Sequence, residues 1–174
     1  PAPQGYGGRE VLIDGDASSA SYFFLAAAVG NGRAVVENWN PRTAQGDRAF
    51  LALLAALGCL VEEEGDRAVV TGGDLKAGDL SFDMGAMPDL VPTLAVLSAF
   101  RKGRTEIGNV AHRRIKESNR ILALVNELGK IGVAAEERPD GLVVHGGTPR
   151  GAEIETYGDH RIAMSFAVAG LVTG

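Results

Sequence analysis

Three short stretches of the 174-residue chain hold side chains able to grip an anion and move a proton. The first is Asp83-Met84-Gly85-Ala86-Met87-Pro88-Asp89, where a strand runs into a Gly-containing loop and Asp89 opens an apolar helix. The second is His112-Arg113-Arg114-Ile115-Lys116-Glu117-Ser118-Asn119-Arg120, a dense alternation of charge leading into another helix. On a helix Lys116 and Arg120 would share a face, and two cations there repel unless an anion lies between them. Glu117 beside Lys116 has a setting suited to proton transfer, but neighbouring helical residues point in different directions, so spacing leaves its role open. The third stretch is Thr156-Tyr157-Gly158-Asp159-His160-Arg161, again a strand, a Gly loop and an apolar helix.

Taken singly, each stretch has a plain structural reading. Asp89 is a favoured N-cap residue, the charge run is a solvated helix start, and His160 and Arg161 are surface groups. Taken together, they place arginine and titratable groups at helix entrances. There the unpaired backbone N–H groups and the helix dipole already favour negative charge.

The elements that must position these residues recur. Hydrophobic periodicity predicts a strand at 9–13, a helix at 18–29, a strand at 33–38, a helix at 47–57, and a hairpin of 59–64 with 67–71 around Gly65-Asp66. The order is βαβαββ. It returns as a strand at 80–83, a helix at 89–101, a strand at 105–110, a helix at 116–130, and a hairpin of 133–137 with 142–145 around Asp140-Gly141. Gly32-Arg33 and Gly103-Arg104 stand 71 residues apart, and Gly174 follows by the same step. That offset aligns Ser18, Asp89 and His160, three polar residues that each precede an apolar helix.

A third unit is begun, with a strand at 153–156 and a helix at 162–172, and is expected to be cut short. The chain therefore reads as a linker or frayed end at 1–8 followed by one incomplete α/β domain at 9–174, with units at about 9–73, 74–147 and 148–174. The first helix of each unit is apolar nearly all round, which predicts buried helices beneath outer sheets, their amino termini gathered at one end.

Composition narrows the function classes. A hydrophobic share of 45% is ample for a packed core. There is no run of about 18 apolar residues and no signal-peptide pattern, so a soluble, cytoplasmic protein without a membrane association is expected. Seventeen Lys and Arg against 22 Asp and Glu give a net charge of −5, which offers nucleic acid no overall attraction. Cys59, the one cysteine, lies in an apolar segment and reads as core.

Four segments in order, Gly15-Asp16-Ala17-Ser18-Ser19-Ala20-Ser21, Pro88-Asp89, Lys116-Glu117-Ser118-Asn119-Arg120 and Tyr157-Gly158-Asp159-His160-Arg161-Ile162-Ala163-Met164, closely resemble the 3-phosphoshikimate 1-carboxyvinyltransferase (EPSP synthase) family. The resemblance spans nearly the whole chain from about Glu10. It implies two domains, each of three βαβαββ units with sheets outside and helices inside, closing on shikimate 3-phosphate and phosphoenolpyruvate. This chain would be most of one domain, with two complete units and a truncated third.

Carried over by motif, Asp89 takes the proton from the attacking 5-hydroxyl, and Glu117 exchanges protons with the enolpyruvyl methylene. Lys116 and His112 fall on the shikimate phosphate side, Arg120 and Arg161 hold the phosphoenolpyruvate carboxylate, and His160 is their neighbour. Asp159 orients the loop. His112 stands where the family often has Asn, and Asn119 where it more often has Asp. No metal or organic cofactor is implied.

The same resemblance implies an amino-terminal domain with further ligands and a lysine beyond Gly174. The fragment alone is thus expected to be inactive, to bind either substrate weakly, and to self-associate through uncovered apolar surface. Two rivals are a relative of UDP-N-acetylglucosamine enolpyruvyl transferase and a non-catalytic βαβαββ module that binds RNA. The first is disfavoured by the Lys-Glu-Ser-x-Arg and Asp-His-Arg pairing, the second by acidic charge and a lack of clustered aromatics.

Overall fold

The computed structural model describes residues 5, 7–11, 13–112 and 118–174. Helix α1 (Ala17–Val29) is built from small and apolar residues, and the Asp16 side chain starts it by accepting from the Ser18 N–H. Strand β1 (Arg33–Val36) follows, then a 3-10 turn (Gly46–Ala49) that passes into α2 (Phe50–Ala56). The hairpin of β2 (Leu60–Glu64) and β3 (Arg67–Thr71) turns at Gly65-Asp66, where Gly65 takes the positive φ such a turn needs. These strands form an antiparallel sheet in the order β1-β3-β2.

The second unit repeats the pattern and adds a strand. β4 (Leu80–Asp83) pairs in parallel with β5 (Gly103–Gly108), which requires a crossover between them. The crossover is α3 (Val91–Ala99), all of whose residues are buried. After α4 (Arg120–Lys130), the hairpin of β6 (Ala134–Arg138) and β7 (Gly141–Gly146) completes a four-stranded sheet in the order β4-β5-β7-β6. Helix α5 (His160–Thr173) packs across α1 and α3. The expected layering, apolar helices inside and sheets outside, holds for both sheets.

Two expected strands are not strands. Among the described residues of 9–13 none joins a sheet, and Val11 and Ile13 are exposed. A short apolar run, Val11-Leu12-Ile13, stands there, but it does not supply a paired edge. Residues 153–156 are likewise irregular, because their backbone is served by side chains: the Glu155 N–H donates to Glu127 Oε2 at 3.0 Å. Of the expected linker at 1–8, Gly5, Gly7 and Gly8 are described and exposed. Among the described residues no helix is long and apolar enough to cross a membrane.

The entrance to β5 depends on one buried cation. Arg101 is sealed from solvent and donates to the carbonyls of Lys76, Gly78 and Arg104 and to Thr105 Oγ1. Beside it Gly103 has φ +114°, and a Cβ there would lie 2.3 Å from the Gly78 carbonyl oxygen, so only glycine fits. In the first unit the positive φ falls on Asn31, one residue before Gly32. Arg101→Met should lower the free energy of unfolding by about 3 kcal/mol, because buried carbonyls lose a charged donor. Urea denaturation measures it, and an unchanged midpoint would refute the dependence.

Candidate active site

The helix entrances meet at one rim, and ion pairs join them. Asp159, directly before α5, caps that helix by accepting from the Arg161 N–H at 2.9 Å. The same carboxylate receives Arg120 through Nε at 2.7 Å and Nη2 at 3.3 Å, together with the Ser118 hydroxyl at 3.0 Å. Arg120 is the first residue of α4, whose cap is Asn119, accepting from Leu122 N. Its guanidinium, 1% exposed, also reaches Asp89 Oδ1 from Nη1 at 3.2 Å. Arg161 Nη2 meets the other oxygen of Asp89 at 3.2 Å.

Asp89 therefore does not cap α3. It sits in a 3-10 turn (Pro88–Leu90) that has no side-chain cap, and its carboxylate, 37% exposed, lies between two arginines. The helix caps fall elsewhere than the repeat offset suggested: Asp16 rather than Ser18, and Asp159 rather than His160. The reason is reach, since an aspartate ahead of the first turn can accept from an N–H two residues on.

Of the residues singled out from the sequence, Asp89, Arg120 and Arg161 are brought into direct contact. His160 stands beside them on α5 with an exposed side chain, and His112 lies exposed just past β5. Among the described residues no hydrogen bond joins either histidine to the cluster. Lys116 and Glu117 lie outside the described residues. Helix α4 begins at Arg120, four residues later than expected, with Asn119 as its cap.

Three further groups belong to the rim. Ser18 at the start of α1 donates a short hydrogen bond to Asp47 on the preceding 3-10 turn of α2. Burial pushes the Asp47 carboxyl above the usual carboxylate range; the Ser18 hydroxyl opposes the shift and the charge of Asp89 adds to it. Tyr22, on α1, lies within the influence of Arg161, Arg120 and Asp159, and burial raises its phenol. Nothing in the sequence marked Tyr22 or Asp47, because only the packing of α1 against α5 brings them to the rim. Among the described residues no group of three or more His, Cys, Asp or Glu is arranged to hold a metal ion.

Helix α4 also holds the approach to α5 further along its length. Buried Glu127 accepts from the Tyr157 hydroxyl at 2.8 Å and the Glu155 N–H, and pairs with Lys130 at 2.8 Å. Burial would raise its carboxyl, but Lys130, Tyr157 and Glu155 N–H together hold it below the usual range.

Comparison with known proteins decides the family. The model of the EPSP synthase (3-phosphoshikimate 1-carboxyvinyltransferase) family matches residues 1–174. The chain belongs to the EPSP synthase family. Among its relatives, the 3-phosphoshikimate 1-carboxyvinyltransferase of Syntrophobacter fumaroxidans is 49% identical over 178 residues, covering 100% of this chain and 41% of the relative. That of Methanocella arvoryzae is 48% identical over 170 residues, covering 97% and 40%. An EPSP synthase structure from Acinetobacter baumannii superposes with a TM-score of 0.78 at 30% identity, covering 93% of this chain and 40% of that one. The chain thus spans about two fifths of the length of the EPSP synthases it matches.

Asp159 is the charge at the centre of the rim, and its titration is testable. Burial would push its carboxyl up, but Arg120, the Arg161 N–H and Ser118 outweigh that and hold it below the usual range. A folded value below the unfolded one stabilises above about pH 4, and the contribution is lost as pH falls through the folded value. Asp159→Asn keeps a capping side chain but removes the charge, so it should cost about 3–5 kcal/mol at neutral pH. The difference from wild type should shrink as the pH falls below about 4. Thermal melts across that range test it, and a gap independent of pH would refute it.

Proposed function

We propose that the full-length protein transfers the enolpyruvyl group of phosphoenolpyruvate to the 5-hydroxyl of shikimate 3-phosphate and releases inorganic phosphate. One observation carries this reading: the Asp89 carboxylate is gripped by Arg120 and Arg161 where helices α3, α4 and α5 begin. A carboxylate already seated on two guanidinium groups supports a rim suited to the charge and shape of an enol acid. The matched relatives are named as transferases of this class.

In the reaction, protonation of the methylene makes the enol phosphate carbon electrophilic, and the 5-hydroxyl attacks it while losing its proton. The tetrahedral adduct then loses phosphate and a methyl proton, which restores the double bond. A base and an acid must stand on either side of one carbon. Asp89 is the base toward the hydroxyl, and Glu117 serves the methylene. Lys116 and His112 face the substrate phosphate.

The arginines divide their work. Arg120 spends Nε and Nη2 on Asp159, which leaves Nη1 facing the rim. Arg161 is 14% exposed and holds Asp89 from Nη2. The substrate carboxylate would take over the rim-facing nitrogen of Arg161 from Asp89, and its arrival loosens the base for its task. His160 borders the same pocket, and the remaining cationic groups come from the rest of the full-length protein.

The test is phosphate release by the full-length protein given both substrates. Asp89→Asn should lower kcat by about 10²–10⁴-fold, the usual worth of a positioned general base. Arg161→Lys should mainly raise KM for phosphoenolpyruvate, since an ammonium cannot reproduce the fork. A wild-type protein that releases no phosphate would overturn the reading.

A further inference from the structure

The Tyr22 hydroxyl is the unusual polar group of the rim. The residue is 6% exposed and its oxygen is sealed from solvent; no donor meets it at good hydrogen-bond geometry, and its contact with the Arg161 guanidinium is a weak, poorly aligned one. Buried hydroxyls are seldom left without a partner, and each exception calls for a reason. Tyr22 also lies close enough to the Arg161 guanidinium to feel it strongly, with Arg120 and Asp159 in the same field. Three features then fit together: an unsatisfied acceptor, a donor-only cation beside it, and a cation whose rim-facing nitrogen is drawn toward Asp89.

We propose that Tyr22 is a positioning residue for Arg161: its buried hydroxyl oxygen accepts an N–H of that guanidinium once a substrate carboxylate takes over from Asp89 as the partner of Arg161. In the arrangement described, Arg161 leans to Asp89 and meets the hydroxyl only through a poorly aligned contact. When the guanidinium turns to meet a second carboxylate, its inner edge swings onto the phenol. A fork held from behind is fixed in plane, so the bidentate grip on the anion needs less ordering at the moment of binding. Burial raises the phenol, so it stays neutral and adds no charge of its own to the anion site.

The inference rests on the transferase reading for the identity of the anion, and the experiment separates the two. In full-length protein Tyr22→Phe keeps the ring and removes the oxygen. KM for phosphoenolpyruvate should rise about tenfold, as for one lost hydrogen bond to a charged group, while kcat stays within about twofold. Calorimetry of phosphoenolpyruvate binding in the presence of shikimate 3-phosphate should weaken by the same factor. The melting temperature should hold or rise, because an unpaired buried hydroxyl is gone. In an Arg161→Lys background, Tyr22→Phe should have no further effect on either quantity.

Unchanged KM and unchanged binding in Tyr22→Phe would overturn the role, and so would an equal loss in both backgrounds. A fall in melting temperature accompanying the KM rise would make Tyr22 merely structural and also overturn it. A wild type that binds phosphoenolpyruvate but releases no phosphate would overturn the transferase reading alone, because the binding comparison still decides Tyr22.

Discussion

The rim is organised around the buried pair of Arg120 and Asp159. Neither group touches solvent, and each would be strongly unfavourable there without the other. The pair costs desolvation but yields geometry. Asp159 simultaneously starts α5 and fixes Arg120, and Arg120 in turn presents one edge to Asp89. An ionic bond between the entrance of α4 and the entrance of α5 therefore determines where Arg161 sits, two residues after the cap. The order of dependence runs from a helix cap to an ion pair to a carboxylate held for chemistry.

The same frame explains why three helices contribute and why they are so apolar. α3 is surrounded on all sides, so nothing polar along its length is available to bind a ligand. The polar groups of the rim are confined to the first turns of the helices and the residues just before them, where Asp89, Arg120, Asp159, Arg161 and the pair Ser18 and Asp47 sit. Helix dipoles aim partial positive charge at that rim. The aspartates there keep the unliganded surface from being a bare cluster of cations.

Much of this architecture was legible in the sequence, for reasons particular to each element. The two hairpins announced themselves through Gly65-Asp66 and Asp140-Gly141, and β4 through its alternation, because turn chemistry and period-two patterning are local. The strands expected at 9–13 and 153–156 were not found, since pairing depends on a neighbour that no local pattern specifies. Asp89 looked like a cap and is not one; a short acidic side chain before a helix can turn either inward to the backbone or outward to a cation, and only the position of Arg120 and Arg161 decides. Burial of Arg120 was equally hidden, because its partner Asp159 is 39 residues away. The motif segments singled out Asp89, Arg120 and Arg161, and the fold brings those three side chains into direct contact, while Tyr22 and Asp47 become rim residues only through packing around α1.

One more consequence follows from the two attachments of α4. Its first residue holds Asp159, and Glu127, two turns later, holds Glu155 and Tyr157. The strand-like stretch leading into α5 is thus fastened at both ends to a single rod, and so works as a splinted joint rather than a hinge. Any tilt of that rod is delivered to Arg161 as a rotation of the whole lead-in. The irregular backbone at 153–156, though it belongs to no sheet, is in this way as firmly indexed to the scaffold as a strand would have been.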